Sequence, residues 1–128
     1  MSLNPQRSCD EATASPEGRR LALLICNGTY QDSHLGRLQG VAKDFENMRE
    51  VLASGEGGFE VTGLLDEGLL AVRRAISRIC QEAAAKDTLL LYYSGMSFRS
   101  ADGNLYMPVA DTEKAFPEAT ALEADFVL

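Results

Sequence analysis

Apolar residues follow two rhythms along this chain. From Leu21 to Cys26 they are continuous (Leu-Ala-Leu-Leu-Ile-Cys) and stop at Asn27-Gly28. A run of that length predicts a strand buried on both faces. Residues 29–37 are mostly polar, and they predict a loop. Val41, Phe45, Met48, Val51 and Leu52 then recur at helical spacing, with Lys43, Asp44, Glu46, Asn47, Arg49 and Glu50 on the other faces. The glycines at 55, 57 and 58 break that helix. The stretch Phe59-Glu60-Val61-Thr62-Gly63-Leu64-Leu65 predicts a second strand, after which Asp66 can cap the next helix. Leu69, Val72, Ile76, Ile79, Cys80 and Ala83 share one helical face, which assigns Cys80 to packing. Arg73, Arg74 and Arg78 fall on a solvated face. Thr88-Leu89-Leu90-Leu91-Tyr92-Tyr93 is the third and most apolar strand, ended by Ser94-Gly95.

Strands alternating with amphipathic helices predict right-handed βαβ units and a parallel sheet, an α/β fold. Beyond Gly95 the rhythm changes. Residues 98–109, with Asp102-Gly103 in the middle, predict a small hairpin. A loop through Pro117 follows, and residues 119–128 predict the start of another helix. Residues 1–18 are polar, with Pro5, Pro16 and Gly18, and predict a disordered tail before one domain over 19–128.

Composition narrows the function classes. The 128 residues are 45% hydrophobic and 24% charged, an ordinary globular balance. The formal net charge of −7 argues against nucleic acid as a partner, since phosphate contacts need clustered Lys and Arg. No apolar run approaches the roughly 20 residues of a membrane span. The first twenty residues have no apolar h-region, so the expected setting is cytoplasmic, without a membrane. Three widely spaced cysteines (Cys9, Cys26, Cys80) suggest neither a disulfide framework nor a zinc site. The single histidine, His34, limits proton transfer at neutral pH.

In a parallel sheet, functional loops gather at the carboxyl ends of the strands. The loops that qualify, residues 27–37, 65–68 and 94–104, contain no P-loop, no dinucleotide fingerprint and no GxSxG, and no HExxH occurs. No cofactor and no metal are expected. The informative stretch is Tyr92-Tyr93-Ser94-Gly95-Met96-Ser97, followed by Asp102-Gly103-Asn104-Leu105-Tyr106-Met107 and then Asp111. It resembles the large-subunit region of the caspase/metacaspase superfamily of cysteine peptidases. There a hydrophobic strand ends in Tyr-Ser-Gly-His-Gly and an acidic-Gly-x-Leu-Tyr-Leu hairpin follows. Leu21 to Tyr30 is similar to the family's first strand and its Asn-x-x-Tyr exit. Leu38-Gln39-Gly40 with Asp44 and Met48 is similar to its Leu-x-Gly-x-x-x-Asp stretch, and Gly58-Phe59-Glu60-Val61 to its Gly-Phe-x-Val strand. The matches run in order over about residues 20–128. They imply a three-layer caspase-like fold, incomplete at its C-terminal side.

Departures from the pattern bear on activity. The family's base is the histidine of Ser-Gly-His-Gly. Here that position is Met96, flanked by Ser94, Gly95 and Ser97. A nucleophilic cysteine needs an imidazole to hold it as thiolate and to protonate the leaving amine. A thioether does neither. The family nucleophile lies on a fourth strand, beyond Leu128. The resemblance therefore implies a pseudo-peptidase or interaction module. Its alternatives are a fragment or inactivated form of an active cysteine endopeptidase, with peptide substrates in the full-length form, and an unrelated flavodoxin-like binding module. Asp44 is a candidate for an acidic substrate pocket, against a plain surface carboxylate. Cys26 with His34 is a conceivable cryptic dyad, but burial of Cys26 in an apolar run favours inert packing. Without a fourth strand, Thr88–Tyr93 would be a long apolar edge. Self-association or a complementary chain through that edge is the expected partnership.

Overall fold

The computed structural model describes residues 18–55 and 58–127. The expected tail, with Cys9, lies outside the described residues except at Gly18. The elements are β1 (Arg20–Cys26), a 3-10 turn (Ser33–Leu35), α1 (Val41–Ala53), β2 (Glu60–Leu65), α2 (Leu69–Glu82) and β3 (Thr88–Ser94). After them come β4 (Phe98–Arg99), β5 (Leu105–Met107), α3 (Pro117–Thr120), β6 (Leu122–Glu123) and α4 (Ala124–Val127).

The main sheet has the order β2-β1-β3 and is parallel throughout. In register, Leu21 lies beside Glu60 and Leu89, and Leu23 beside Thr62 and Leu91. The continuous apolar run of β1 is explained by its central place, where six of its seven residues are buried. Its odd face carries Leu21, Leu23 and Ile25 into a core with Val72, Ile76 and Ile79 of α2. Its even face carries Leu24 and Cys26 into a second core with Val41 and Phe45 of α1. Helix α1 sits on β2 and β1, and α2 on β1. Gly63 in β2 is what lets α1 approach, because a Cβ there would lie 2.5 Å from Cζ of Phe45. The sheet with its two helix layers is the α/β arrangement expected of a caspase-like fold. Among the described residues no helix is long and apolar enough to cross a membrane.

The hairpin is present: β4 and β5 pair antiparallel, and Phe98 stacks on Tyr106 with ring centroids 5.7 Å apart. The end of the chain differs from the expected helix. Residues 117–127 form two short helical turns with β6 between them, and Leu122 pairs with Met107. Burial decides this, since Ala121 and Leu122 are fully covered in the extended segment. Cys80 also differs from expectation, being exposed. Val72, Ile76 and Ile79 already fill the buried stripe of α2, and Cys80 is turned about 100° from Ile79 around the axis.

One polar clamp ties the start of β1 to the loop before β3. The Asp87 carboxylate accepts from the Arg19 backbone N–H at 2.8 Å, from the Ala84 N–H at 2.8 Å and from Arg19 Nη2 at 3.0 Å. Burial alone would favour the protonated acid, but the hydrogen bonds from Ala84 and Arg19 outweigh it and hold the carboxyl below its usual range. Its stabilising contribution is therefore complete above the unfolded value of about 4 and is lost as pH falls through the lower folded value. Asp87→Ala should lower stability by about 1–3 kcal/mol at pH 7 and flatten the loss of stability below pH ~4. Urea titrations of both chains across that range check it; equal stability at pH 7 would rule the clamp out.

Candidate functional site

The three strands of the main sheet end side by side, and their exit loops are stitched together. Asn27 N–H donates to the Ser94 carbonyl at 2.8 Å, and Asp66 N–H donates to the Cys26 carbonyl at 2.9 Å. Asp66 takes a left-handed conformation, with φ 54°, and its Oδ1 accepts from the N–H groups of Gly28 at 2.8 Å and Thr29 at 3.1 Å. It does not cap α2, as its sequence position suggests. The N-cap is Gly68, and Asp111 from the distant loop accepts from Leu69 N–H at 3.0 Å. Parallel register explains the exchange. Pairing Cys26 with Leu65 sets Asp66 against the turn that leaves β1.

The loop after β3 is held by two phenols. Met96 N–H donates to the Tyr30 hydroxyl at 2.9 Å. The Tyr93 hydroxyl lies 2.9 Å from the Met96 carbonyl and 2.7 Å from the Pro108 carbonyl, with one proton to donate between them. Burial first, and then the neighbouring Tyr30, push the Tyr93 phenol well above its ordinary pKa, so it stays protonated and can donate. Gly95 sits where a Cβ would come within 2.7 Å and 2.8 Å of these hydroxyls. Met96 is thus pinned through its backbone, with its side chain half-buried. Ser94 is half-buried beside it and Ser97 is exposed.

Cys26 lies at the end of β1 with 1% of its surface exposed. Burial pushes its thiol up to about 11, and the negative charges of Asp66 and Asp44 push the same way. Asp44 itself is exposed in the first turn of α1. Asn27, the next residue, is 1% exposed, and neither amide atom of its side chain has a protein hydrogen-bond partner.

His34 is engaged elsewhere. Its Nδ1 is 3.0 Å from Asp32 Oδ1, and its side chain is 81% exposed. Asp32 also accepts from Lys114 N–H at 2.8 Å, and that bond, with the two from His34, holds its carboxyl down at about 2. Asp32 and His34 therefore serve as a staple between the loop after β1 and residues 111–116. No hydrogen bond or ion pair joins His34 to Cys26 among the described residues.

The structure brings Asp66 and Asp44 within electrostatic reach of Cys26 at the carboxyl ends of the strands, with Met96 in the adjoining loop. What sequence reasoning missed is the supporting set: Tyr30, Tyr93, Asp66 as a loop anchor, Asn27 and Asp111. Their common signal is position, since each stands at or just beyond a strand end or a helix start. Among the described residues no group of three or more His, Cys, Asp or Glu side chains could hold a metal ion. A protonated thiol, two carboxylates and a thioether leave these strand ends without an imidazole to move a proton.

In comparison with known families, the model described as the caspase domain matches residues 19–123. Comparison with curated proteins gives no match.

Proposed function

We propose that the chain, which belongs to the caspase-domain family, keeps the family's fold without its peptidase chemistry and works by association with another chain. Met96 carries this reading. It occupies the place where the resemblance expects the catalytic histidine, and two tyrosines hold its backbone there. A thioether cannot activate a thiol or protonate a leaving amine. Nor does Cys26 offer a substitute nucleophile. Burial and the nearby carboxylates push its thiol up to about 11, so the protonated form prevails at pH 7.5. A cytoplasmic setting belongs to the same reading, supported by the two described cysteines being free thiols.

Two measurements on the 128-residue chain test this. Peptides containing Asp or Arg at the cleavage position should not be hydrolysed above buffer; hydrolysis abolished by Cys26→Ser would overturn the proposal. In the folded chain at pH 7.5, iodoacetamide followed by peptide mapping should modify exposed Cys80 and spare Cys26. Alkylation of Cys26 as fast as Cys80 would restore a reactive thiol and count against the reading.

A further inference from the structure

The outer face of α2 carries one sign of charge. Val72, Ile76 and Ile79 point into the core, so the opposite side of the helix faces away from the sheet. That orientation is set by α2 itself and does not depend on any segment beyond α4. The outward side holds Arg74, Ser77, Arg78 and Gln81, all exposed, which line an open groove together with Glu82. Arg74 and Arg78 stand four residues apart on one ridge, where like charges repel. Arg73 is turned onto the Phe126 ring, 4.7 Å from its centroid, and is not part of this ridge. Neither Arg74 nor Arg78 forms an ion pair among the described residues. In a chain with a formal net charge of −7, such a ridge is a local reversal of sign.

We propose that residues 9–17 of this chain lie back along this face, with Asp10 and Glu11 against Arg74 and Arg78. Tether and charge both favour this occupant. The segment joins the described chain beside the end of α2. Arg19 Nη2 donates to the Glu82 carbonyl at 2.8 Å, and Gly18 lies so close to the Lys86 backbone that a Cβ would clash with it. Arg78 is about 6 Å along the helix axis from Glu82, and Arg74 about 12 Å. The chain from Gly18 back to Glu11 can span up to roughly 25 Å, so both guanidiniums are within its reach. Residues 9–17 contain Asp10, Glu11 and Glu17 and no Lys or Arg. Exposed ion pairs are individually weak, but a short tether keeps the carboxylates at an effective concentration in the millimolar range. The contact neutralises the ridge and keeps other acidic segments off it. The tail is therefore a built-in competitor for the α2 face, whatever the peptidase assay shows.

A nitroxide on Cys9 of the 128-residue chain, in a Cys80→Ser background, reads the contact as paramagnetic broadening of backbone amides; Cys26 is buried. At about 20 mM salt, amides of residues 74–78 should broaden at least about twofold more than at about 500 mM, where the screening length falls to about 4 Å. Arg74→Glu with Arg78→Glu should remove that excess, and adding Asp10→Lys with Glu11→Lys should restore it. Amides of α1, on the other face of the sheet, are the reference, and circular dichroism confirms that each variant is folded. Broadening at residues 74–78 that ignores both salt and charge reversal overturns the proposal, because it reports only the anchor at Gly18. So does a double reversal that fails to restore the excess. A chain that shows no excess yet binds added polyglutamate on this face overturns the tail as occupant.

Discussion

Leu23→Ala should cost about 2–5 kcal/mol of folding stability, the range for truncating a fully buried leucine. Leu23 is fully buried in the central strand, and its neighbours cannot easily close the gap. In the sheet it stands between Thr62 and Leu91, and on its face it joins the core that Val72, Ile76 and Ile79 of α2 complete. The removed atoms lose their transfer free energy, and the cavity left behind adds to it. A domain of this size commonly has about 5–15 kcal/mol in total, so the variant would be close to its unfolding midpoint in modest urea. Leu70, on the same helix layer but 64% exposed, provides the comparison. Leu70→Ala should stay within about 0.5 kcal/mol of the parent. Urea titration of the three chains measures both, and a loss below ~1 kcal/mol at position 23 would mean that β1 is not the centre of the core.

Gly95→Ala should cost about 1–3 kcal/mol and release the loop that carries Met96. The cost is purely spatial. The added Cβ would stand 2.7 Å from the Tyr93 hydroxyl, 2.8 Å from the Tyr30 hydroxyl and 3.0 Å from Tyr93 Cζ. At least one phenol must retreat, and with it goes a bond to the Met96 backbone. Amide exchange at Met96 should therefore quicken in Gly95→Ala. Tyr30→Phe should quicken it as well, because the Met96 N–H loses its acceptor, but with a smaller loss of stability since nothing is forced apart. Exchange at Met96 unchanged in both variants would show that the phenols do not hold the loop.

These two sites differ in how far they could be read from residue order. The Leu21–Cys26 run predicts a strand buried on both faces, and β1 is one, because a continuous apolar run has few other stable places. Helices α1 and α2 were legible from their spacing, and the hairpin from Asp102-Gly103. Position Met96 was legible only through the resemblance, since nothing local marks it. What holds Met96 was not legible at all. Tyr30 and Met96 lie 66 residues apart and meet only when β1 and β3 pair. Asp66 departs from its expected capping role for the same reason. A carboxylate before an apolar helical run has the pattern of a cap, and only parallel register turns it towards Gly28 and Thr29. Cys80 shows the limit of a helical stripe. It lies one residue from Ile79 at the margin of the buried arc, where periodicity alone does not separate the last covered position from the first exposed one.

The central place of β1 also has a consequence in time. Leu21 pairs with Glu60 on one side and with Leu89 on the other, so the first made of these three strands acquires its second neighbour last. At the usual 5–20 residues per second of synthesis, roughly 3–14 s separate the emergence of β1 from that of β3. During that interval the most deeply buried strand of the finished sheet can have α1 and β2 beside it, but its other edge is open. Long-range parallel pairing is slow to form in any case. The β1–α1–β2 unit is therefore the nascent chain's most exposed stage, and a chaperone that shields extended apolar segments would act there, before Thr88 leaves the ribosome.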